Sequence, residues 1–400
     1  PRAPSSFAGD ADVMTGQPSV STDESDHAEL HALLRLVAAG GSTAARCALV
    51  ERYGNAVRAI AAGPAGWREA GWPDEHVSTL SASTVPAAAL AWLREPTHHL
   101  IGRHQPDYPP LLRRSPNPPL ALFVAGDPAL LWQPSVAVVG SRGPTPGGRD
   151  NARDFARSFA ASGLVVVSGM AAGIDTAAHQ ATLEADGRTV AVLGTGPDVP
   201  YPRTNTDLHA RISRAGAVVS EYLPGTGPVA FHFPSRNRIL AGLSVATVVI
   251  EAAERSGALI TARLAAEAGR DVFAVPGSIH NPMARGCHRL IRDGASLVGS
   301  PQDVIDAMAP QVAALAGDLR RQLDAPIHPA QAAGADVGGG AGHEDPDYQT
   351  LWHALGHDPS AMDQLVQRTG LTAAAVSSML LLMELDGHVF SQHGRYFRSR

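Results

Sequence analysis

Residues 135–142 read SVAVVGSR, a short run rich in β-branched residues that ends in a glycine. A run of this length that is closed by glycine is typical of a buried strand. Six further runs of the same character follow, with helical patterns between them: LVVVSG (164–169), TVAVLG (189–194), AVVSE (217–221), ATVVIE (246–251), DVFAVPG (271–277) and SLVG (296–299). Strands that alternate with helices predict an α/β fold with a doubly wound, mainly parallel sheet, covered on both faces.

Upstream of this sheet, the pattern predicts two further regions. Residues 1–27 are polar and acidic, which is typical of a disordered leader. Residues 28–99 show helical apolar spacing broken by glycine, and they predict a small helical domain that faintly resembles a SAM or helix-hairpin-helix module. The sheet domain is assigned to residues 100–309, beginning at 100–134 with a proline-rich, irregular connector that is expected to be ordered because it carries Tyr108, Leu111, Leu112, Leu120 and Phe123.

Downstream of the sheet, residues 310–345 are rich in alanine, glycine and proline and predict a flexible linker. Residues 346–400 predict three helices followed by a hairpin, which is winged-helix organisation. Many winged-helix modules bind DNA, whereas others only bind proteins, so the pattern leaves the role of this region open.

Composition excludes several classes of protein. The 400 residues carry a formal net charge of −6, so a basic nucleic-acid coat is excluded, although a local basic patch is not. Cys47 and Cys287 are the only cysteines, which excludes a disulfide scaffold and suits the reducing cytoplasm. Neither cysteine has neighbours at zinc-ligand spacing, and we expect no metal. No apolar run approaches the ~20 residues that span a bilayer, so we expect no membrane contact.

Small residues follow almost every predicted strand. Ligands of open parallel sheets bind at these carboxyl ends, where small residues let backbone N–H groups approach an anion. The residues at these ends are Gly140-Ser141-Arg142, Ser168-Gly169, Gly194-Thr195-Gly196, Ser220-Glu221, Glu251 and Pro276-Gly277-Ser278, and Ser256-Gly257 opens the next helix. They predict an anion-binding edge of the sheet. Because neither G-x-G-x-x-G nor a P-loop occurs, we expect no NAD or ATP cofactor.

The stretch FHFPSRNRIL, residues 231–240, falls on the same edge. Together with Arg142, its Arg236 and Arg238 would present three permanent cations there. Phe231 and Phe233 would add flat apolar faces, although the alternation in F-H-F-P could instead bury both rings. Guanidinium groups beside aromatic faces are typical of sites that hold single-stranded nucleic acid.

Four titratable residues near this edge raise the question of catalysis. Asp175 and His179 lie four residues apart on a predicted helix and could form an acid–base pair, and Glu221 and Glu251 end two strands. No serine or cysteine nucleophile accompanies them. We interpret all four as residues that shape the pocket, and we expect no enzyme activity.

An ordered series of motifs runs over residues 106–300: PDYPPLL, VAVVGSR, VVSGMAAGIDTAAH, VAVLGTG, YP at 201–202, SEYLPG, FPSRNRILAGLS, VVIEAAERSGALITARLAAEAGRDVFAVPG and GCHRLIRDGA. In these motifs the chain closely resembles the DNA-processing protein A (DprA/Smf) family. The flanking helical and winged-helix-like regions match the family's accessory domains more loosely.

This resemblance implies an extended Rossmann-like fold without an established reaction. It implies a homodimer that binds single-stranded DNA, protects incoming strands in natural transformation of competent cells, bypasses single-strand-binding protein and loads the RecA recombinase. Carried over by motif, the DNA-contacting residues are Gly140, Ser141, Arg142, Ser168, Gly169, Phe233, Arg236, Asn237, Arg238, Ser256, Gly257 and Thr261.

Two rival interpretations remain. Nucleoside-monophosphate phosphoribohydrolases resemble this domain in their glycine-rich turns, but their P-G-G-x-G-T-x-x-E signature is absent. The comparable region here, EAAERSGALIT at 251–261, lacks the paired glycines. Alternatively, the sheet domain senses a small nucleotide and the tail domain responds.

Overall fold

The computed structural model describes residues 22–323, 346–355, 360–371, 376, 379, 380, 383, 389–392 and 395–398. The chain divides into two units, residues 1–322 and 323–400. Within the described residues, no helix is both long enough and apolar enough to cross a membrane.

Six helices open the first unit: α1 (Thr22–Ala38), α2 (Thr43–Tyr53), α3 (Ala56–Ala61), α4 (Gly63–Glu69), α5 (Asp74–Ala82) and α6 (Ala87–Trp92). They enclose a core that includes Leu33, Trp67 and Leu80 and that reaches Leu120 of the sheet domain. The predicted leader of residues 1–27 is therefore wrong for residues 22–27, and residues 1–21 lie outside the described part. Residues 25–28 of α1 are exposed, so they need no apolar periodicity, and composition alone could not reveal this part of the helix.

Nine strands form one sheet in the order β1-β2-β6-β5-β4-β3-β7-β8-β9. In this order, all neighbours from β6 to β9 are parallel, whereas the pairs β1–β2 and β2–β6 are antiparallel. The strands are β1 (His98–Gly102), β2 (Ala121–Gly126), β3 (Ser135–Val139), β4 (Val165–Ser168), β5 (Thr189–Val192), β6 (Ala217–Ser220), β7 (Ala246–Val249), β8 (Asp271–Ala274) and β9 (Ser296–Leu297). This confirms the predicted doubly wound, mainly parallel sheet.

Eight helices accompany the sheet: α7 (Pro110–Arg113), α8 (Pro146–Ala161), α9 (Ile174–Glu184), α10 (Thr206–Ala215), α11 (His232–Leu243), α12 (Ala258–Glu267), α13 (Arg285–Arg292) and α14 (Pro301–Leu323). α8, α9 and α14 cover one face, where Phe159 packs in one cluster with Val138. α11, α12 and α13 cover the other, where Leu240 packs with Val139. Successive β3 residues thus enter opposite cores, which explains their continuous apolar run.

The connectivity fixes where a ligand can bind. From β3 the chain builds β4, β5 and β6 outward on one side, and it then returns to place β7 against the opposite edge of β3, with Val136 beside Ala246 and Val139 beside Val249. The loops that follow β3 and β7 therefore diverge to opposite sides. Such a switch point leaves a crevice at the carboxyl ends of the two strands.

The connector at residues 100–134 is ordered as expected, but the prediction that it is irregular is wrong, because it contains the end of β1 and all of β2. β2 is buried along almost its whole length and pairs with β6, with Phe123 opposite Ser220. β1 is the half-buried outer strand. Prolines flank these strands rather than interrupting them, which is where an edge pair tolerates proline.

The predicted linker at residues 310–345 is likewise wrong for residues 310–323, which continue α14 beyond Pro310. Leu315 is buried against the sheet, and Val312 packs beside it. Alanine is the strongest helix former, so the alanine-rich composition agrees with this helix as well as with a linker. Residues 324–345 lie outside the described part.

In the second unit, the described elements are α15 (Pro346–Leu355), β10 (Ser360–Ala361), α16 (Met362–Thr369), β11 (Val389–Gln392) and β12 (Arg395–Arg398). Residues 376, 379, 380 and 383 are helical and fall in the predicted third helix, whose other residues are not described. β11 and β12 pair antiparallel, and β10 joins β12. Leu351, Leu365 and Val389 share one core, as the predicted winged-helix organisation requires. Residues 393 and 394, between the two strands of the predicted hairpin, lie outside the described residues.

Candidate nucleic-acid interface

A cavity of about 840 Å³ opens at the switch point between β3 and β7. Its walls come from the loop after β3, the start of α11 and the loop that leads into α12. The sequence-predicted residues that line it are Gly140, Ser141, Arg142, Asp175, Phe233, Arg236, Asn237, Ser256, Gly257 and Thr261. Parts of the chain that are more than 100 residues apart in sequence thus meet as the strand-end argument predicts.

The remaining predicted residues lie behind or beside this wall. Ser168 is buried, and its Oγ donates to the carbonyl of Val138 at 2.7 Å. Gly169 lies beneath the guanidinium of Arg236, where a Cβ atom would sit 1.8 Å from Nη1. These two residues support the lining rather than forming it.

The expected trio of solvent-facing arginines is wrong for two of its members. Arg236 is only 4% exposed, and its Nη1 donates to the carbonyl of Val192 at 2.6 Å. Burial lowers the pKa of Arg236 to about 10, against the opposing attraction of the nearby Asp175. Arg238 forms an ion pair with Glu221, and both side chains are largely buried. Because α11 already begins at His232, its helical phase turns both guanidinium groups inward.

Two arginines at this cavity are exposed. Arg142 follows β3, and Arg255 precedes α12; both line the cavity. Within the described residues, neither guanidinium has a hydrogen bond or an ion pair, so both remain available to an anionic ligand. Sequence reasoning missed Arg255, although it lies inside the quoted stretch EAAERSGALIT, immediately before the predicted Ser256-Gly257 helix start.

Aromatic rings stand beside these cations. Phe233 is half-buried and lines the cavity with Tyr201, whose ring centroid lies 5.1 Å from that of Phe233 at an interplanar angle of 39°. Phe231 is 70% exposed, so the alternation in F-H-F-P does not bury both rings. Tyr201 was not among the predicted contacts; the YP pair at 201–202 was its only signal.

The start of α12 supplies polar groups to the opposite wall. Ser256 Oγ accepts a hydrogen bond from the N–H of Ala258 at 3.3 Å, and Asn237 Nδ2 donates to the carbonyl of Gly257 at 3.5 Å. Thr261, in the first turn, is buried at 2% exposure and still lines the cavity. The positive end of the helix dipole therefore lies at the cavity wall, where it favours a negative ligand.

Asp175 braces the loop after β4. Its Oδ2 accepts from the N–H groups of Gly169 at 3.1 Å and Ala171 at 3.3 Å. The residue between them, Met170, has a φ of 56°, a left-handed conformation that non-glycine residues rarely adopt. Burial raises the pKa of Asp175, although the positive charge of Arg236 opposes this rise.

His179 lies deeper in the same helix. Its Nδ1 is 2.7 Å from Thr189 Oγ1, and burial lowers its pKa to about 3. The imidazole is therefore neutral at physiological pH. It does not line the cavity and is not within hydrogen-bonding distance of a cavity-lining group, so its contacts are those of a bracing residue rather than of a proton-transfer group.

Glu251 ties two loops together. Its Oε1 accepts from Thr145 Oγ1 at 2.6 Å and from Asn281 Nδ2 at 3.2 Å, and its Oε2 accepts from the N–H of Thr145 at 2.9 Å. Gly148 provides the space for this carboxylate, since a Cβ atom there would lie 2.3 Å from it. Both oxygens are thus engaged in holding the loops after β3 and β8.

Neither strand-end glutamate has the placement of a hydrolase carboxylate. Glu251 is buried beneath its loops, Glu221 is paired with Arg238, and neither lines the cavity. Within the described residues, no group of three or more His, Cys, Asp or Glu could hold a metal ion.

Comparison with known families shows which family the chain belongs to. Residues 99–309 match the model of a family described as DNA recombination-mediator protein A. The chain belongs to the DNA recombination-mediator protein A family. Residues 328–395 match a second model, described as the DprA winged helix domain. The resemblance to the DprA/Smf family that the motifs indicated is thereby confirmed.

Individual relatives agree with this assignment. Protein Smf of Escherichia coli is 38% identical over 321 residues, which cover 78% of this chain and 80% of that protein. DNA processing protein DprA of Streptococcus pneumoniae is 51% identical over 187 residues, covering 47% of this chain and 66% of that protein. The X-ray structure of DprA from Streptococcus pneumoniae superposes with a TM-score of 0.57 at 38% identity, covering 68% of this chain and 95% of that chain. Membership of this family supports a role in DNA processing.

Proposed function

We propose that the chain binds single-stranded DNA in the cavity between β3 and β7. The observation that carries this proposal is the pairing of two unpartnered, exposed guanidinium groups, Arg142 and Arg255, with the rings of Phe233 and Tyr201 around one cavity. Cations of this kind bind phosphates, and the rings offer faces on which a base of any identity can stack. A small anion would engage the cations without needing two rings.

The buried predicted residues have supporting roles in this proposal. Arg236 lines the cavity as a buried side chain and contributes a positive field to it, while Arg238 and Glu221 hold α11 on the sheet. Asp175 and Glu251 fix the loops that carry the cavity wall, and His179 holds α9 against β5. We propose no enzymatic reaction, because the carboxylates at the strand ends are engaged in structural contacts.

The wider role rests on the family. We propose that the chain acts in the cytoplasm as a homodimer, protects incoming single strands in natural transformation, displaces single-strand-binding protein and loads the RecA recombinase. The relatives named DNA processing protein and the family description as a recombination mediator support this role. The free, buried Cys47 and Cys287 agree with a reducing compartment.

The test is fluorescence anisotropy of a labelled oligo-dT titrated with the full chain, with unlabelled duplex of equal length and AMP as competitors. Binding that an excess of duplex or AMP fails to displace supports the proposal. Ready displacement by AMP would instead assign the cavity to a mononucleotide, as the sensor interpretation requires. Release of a free base from a nucleotide, lost in Glu251→Gln, would favour the phosphoribohydrolase interpretation.

A further inference from the structure

Exposed apolar side chains gather at the mouth of the cavity. In the described part of the chain five large apolar side chains are exposed, and three of them are Tyr201, Val229 and Phe231. Tyr201 itself lines the cavity, and Val229 lies between the lining residues Pro228 and Ala230. An apolar patch of this kind, rimmed by polar groups, marks a surface that contacts a ligand or partner.

Phe231 stands out within this patch. Its ring is 70% exposed and lies outside the cavity, although Ala230 on one side and Phe233 on the other both line it. The ring contacts His232 edge-on, at a centroid distance of 4.5 Å and an interplanar angle of 81°. His232 is buried and stacks on Tyr222 at 3.7 Å. Phe231 is therefore anchored by a fixed neighbour while at least one face of its ring stays open to solvent.

We propose that Phe231 is a second stacking position, which receives the base of the nucleotide next to the one held in the cavity. This inference rests on the proposed binding of single-stranded DNA. Two residues span at most ~7 Å of backbone, so Phe231 and Phe233 lie close enough for neighbouring bases of one strand. Continuity with the cavity wall favours a strand leaving the cavity over a protein partner, which would contact a broader surface.

This position makes affinity depend on oligonucleotide length. Each stacked base contributes enough to change affinity about fivefold to a hundredfold, whatever its identity. Phe231 carries no charge, so its contribution persists at high salt, where contacts between arginines and phosphates weaken. A strand too short to leave the cavity gains nothing from Phe231.

The experiment compares the wild-type chain with Phe231→Ala, Phe231→Leu and Phe231→Trp on a ladder from dT2 to dT12. A second set of oligonucleotides keeps the shortest dT block that binds and replaces every further thymine by an abasic nucleotide, so that length and charge match. Leu297→Ala serves as the control, since Leu297 is 57% exposed in β9, at the far edge of the sheet, and does not line the cavity. Because Phe231 is exposed, unchanged melting temperatures are expected for all variants.

We expect Phe231→Ala and Phe231→Leu to bind the longer dT strands at least about fivefold more weakly than wild type, while Phe231→Trp retains affinity. The abasic strands should bind wild type and Phe231→Ala equally. Equal losses on both strand types, or wild-type affinity in Phe231→Ala, would overturn the stacking role and leave the cavity assignment intact. A wild-type chain that binds no oligonucleotide would overturn the proposed function itself.

Discussion

At the scale of single residues, the arginines of the site differ in exposure. Arg142 and Arg255 are exposed, whereas Arg236 and Arg238 are largely buried and make structural contacts. The double change Arg142→Ala with Arg255→Ala removes both unpartnered cations from the cavity. Each phosphate contact contributes a slope of about −0.7 in log K against log salt for single strands. We therefore expect the slope to become shallower by about 1.4, measured by anisotropy at several salt concentrations.

The matched control for this pair is Arg211→Ala, which removes an exposed arginine on α10 outside the cavity. It should leave the salt slope unchanged. Arg238→Ala is a second comparison: it leaves Glu221 buried without its partner, so it should lower the melting temperature and leave the slope near wild type. A larger change in slope for Arg238→Ala than for Arg142→Ala would contradict this division of roles.

Buried His179 predicts a specific dependence of stability on pH. Its pKa is about 3 in the folded chain against 6.5 ordinarily, so between these values the unfolded chain binds more protons than the folded one. Stability therefore rises with pH through this window and is lost on acidification, by up to about 1.4 kcal/mol per pH unit. Urea unfolding of wild type and His179→Gln from pH 4 to 7 should show that the free energy of unfolding rises less steeply with pH in the variant. The buried Asp175 is present in both proteins, so its titration does not account for the difference. Parallel curves would contradict the assignment.

The positions of the site residues were predictable, whereas the directions of their side chains were not. Gly140, Arg142 and Ser256 follow from local patterns of apolar runs closed by small residues, and parallel strands bring such ends together. The burial of Arg236 depends on where α11 begins and on the space that Gly169 leaves for its guanidinium. Both are properties of the packed structure, and no spacing in the sequence encodes them.

At the scale of elements, α14 shows that an alanine-rich stretch can be part of the core. Leu315 is 6% exposed in a segment whose composition predicted a linker. Leu315→Ala should lower the free energy of unfolding by about 2–5 kcal/mol, as expected for truncation of a buried leucine. Chemical denaturation measures this, with the exposed Ala314→Ser as the control. If Leu315→Ala lowers the free energy of unfolding no more than the control does, residues 310–323 are part of a linker and not of the core.

The same scale explains the two missed strands. β3 to β7 can be predicted from their continuous apolar runs, because both faces of each of these strands are covered and every residue in them is buried. β1 lies at the edge of the sheet and is half-buried, and prolines surround β2, so the local composition of both resembles a loop. Only the pairing of β2 with β6, nearly 100 residues later in the chain, and of β1 with β2 identifies them as strands.

At the scale of the whole molecule, the chain divides at residue 322, and every cavity-lining residue belongs to the first unit. A fragment of residues 22–323 should therefore bind oligo-dT with an affinity within about twofold of the full chain, if the cavity alone holds the strand. Anisotropy on both proteins, after circular dichroism has shown that the fragment is folded, measures this. A loss of tenfold or more would show that the second unit contributes to binding.

The return of β7 to the centre of the sheet has a consequence for synthesis on the ribosome. β3 leaves the ribosome before both of its neighbours in the sheet. One of them, β7 at residues 246–249, is made about 110 residues after β3, when β4, β5 and β6 have been completed. Until then the nascent chain presents one edge of an apolar central strand, which can pair with other chains. The cavity also lacks the wall formed by residues 253–261 until these residues have left the exit tunnel. Truncated translation products therefore expose an aggregation-prone edge and have no complete site for a nucleic acid.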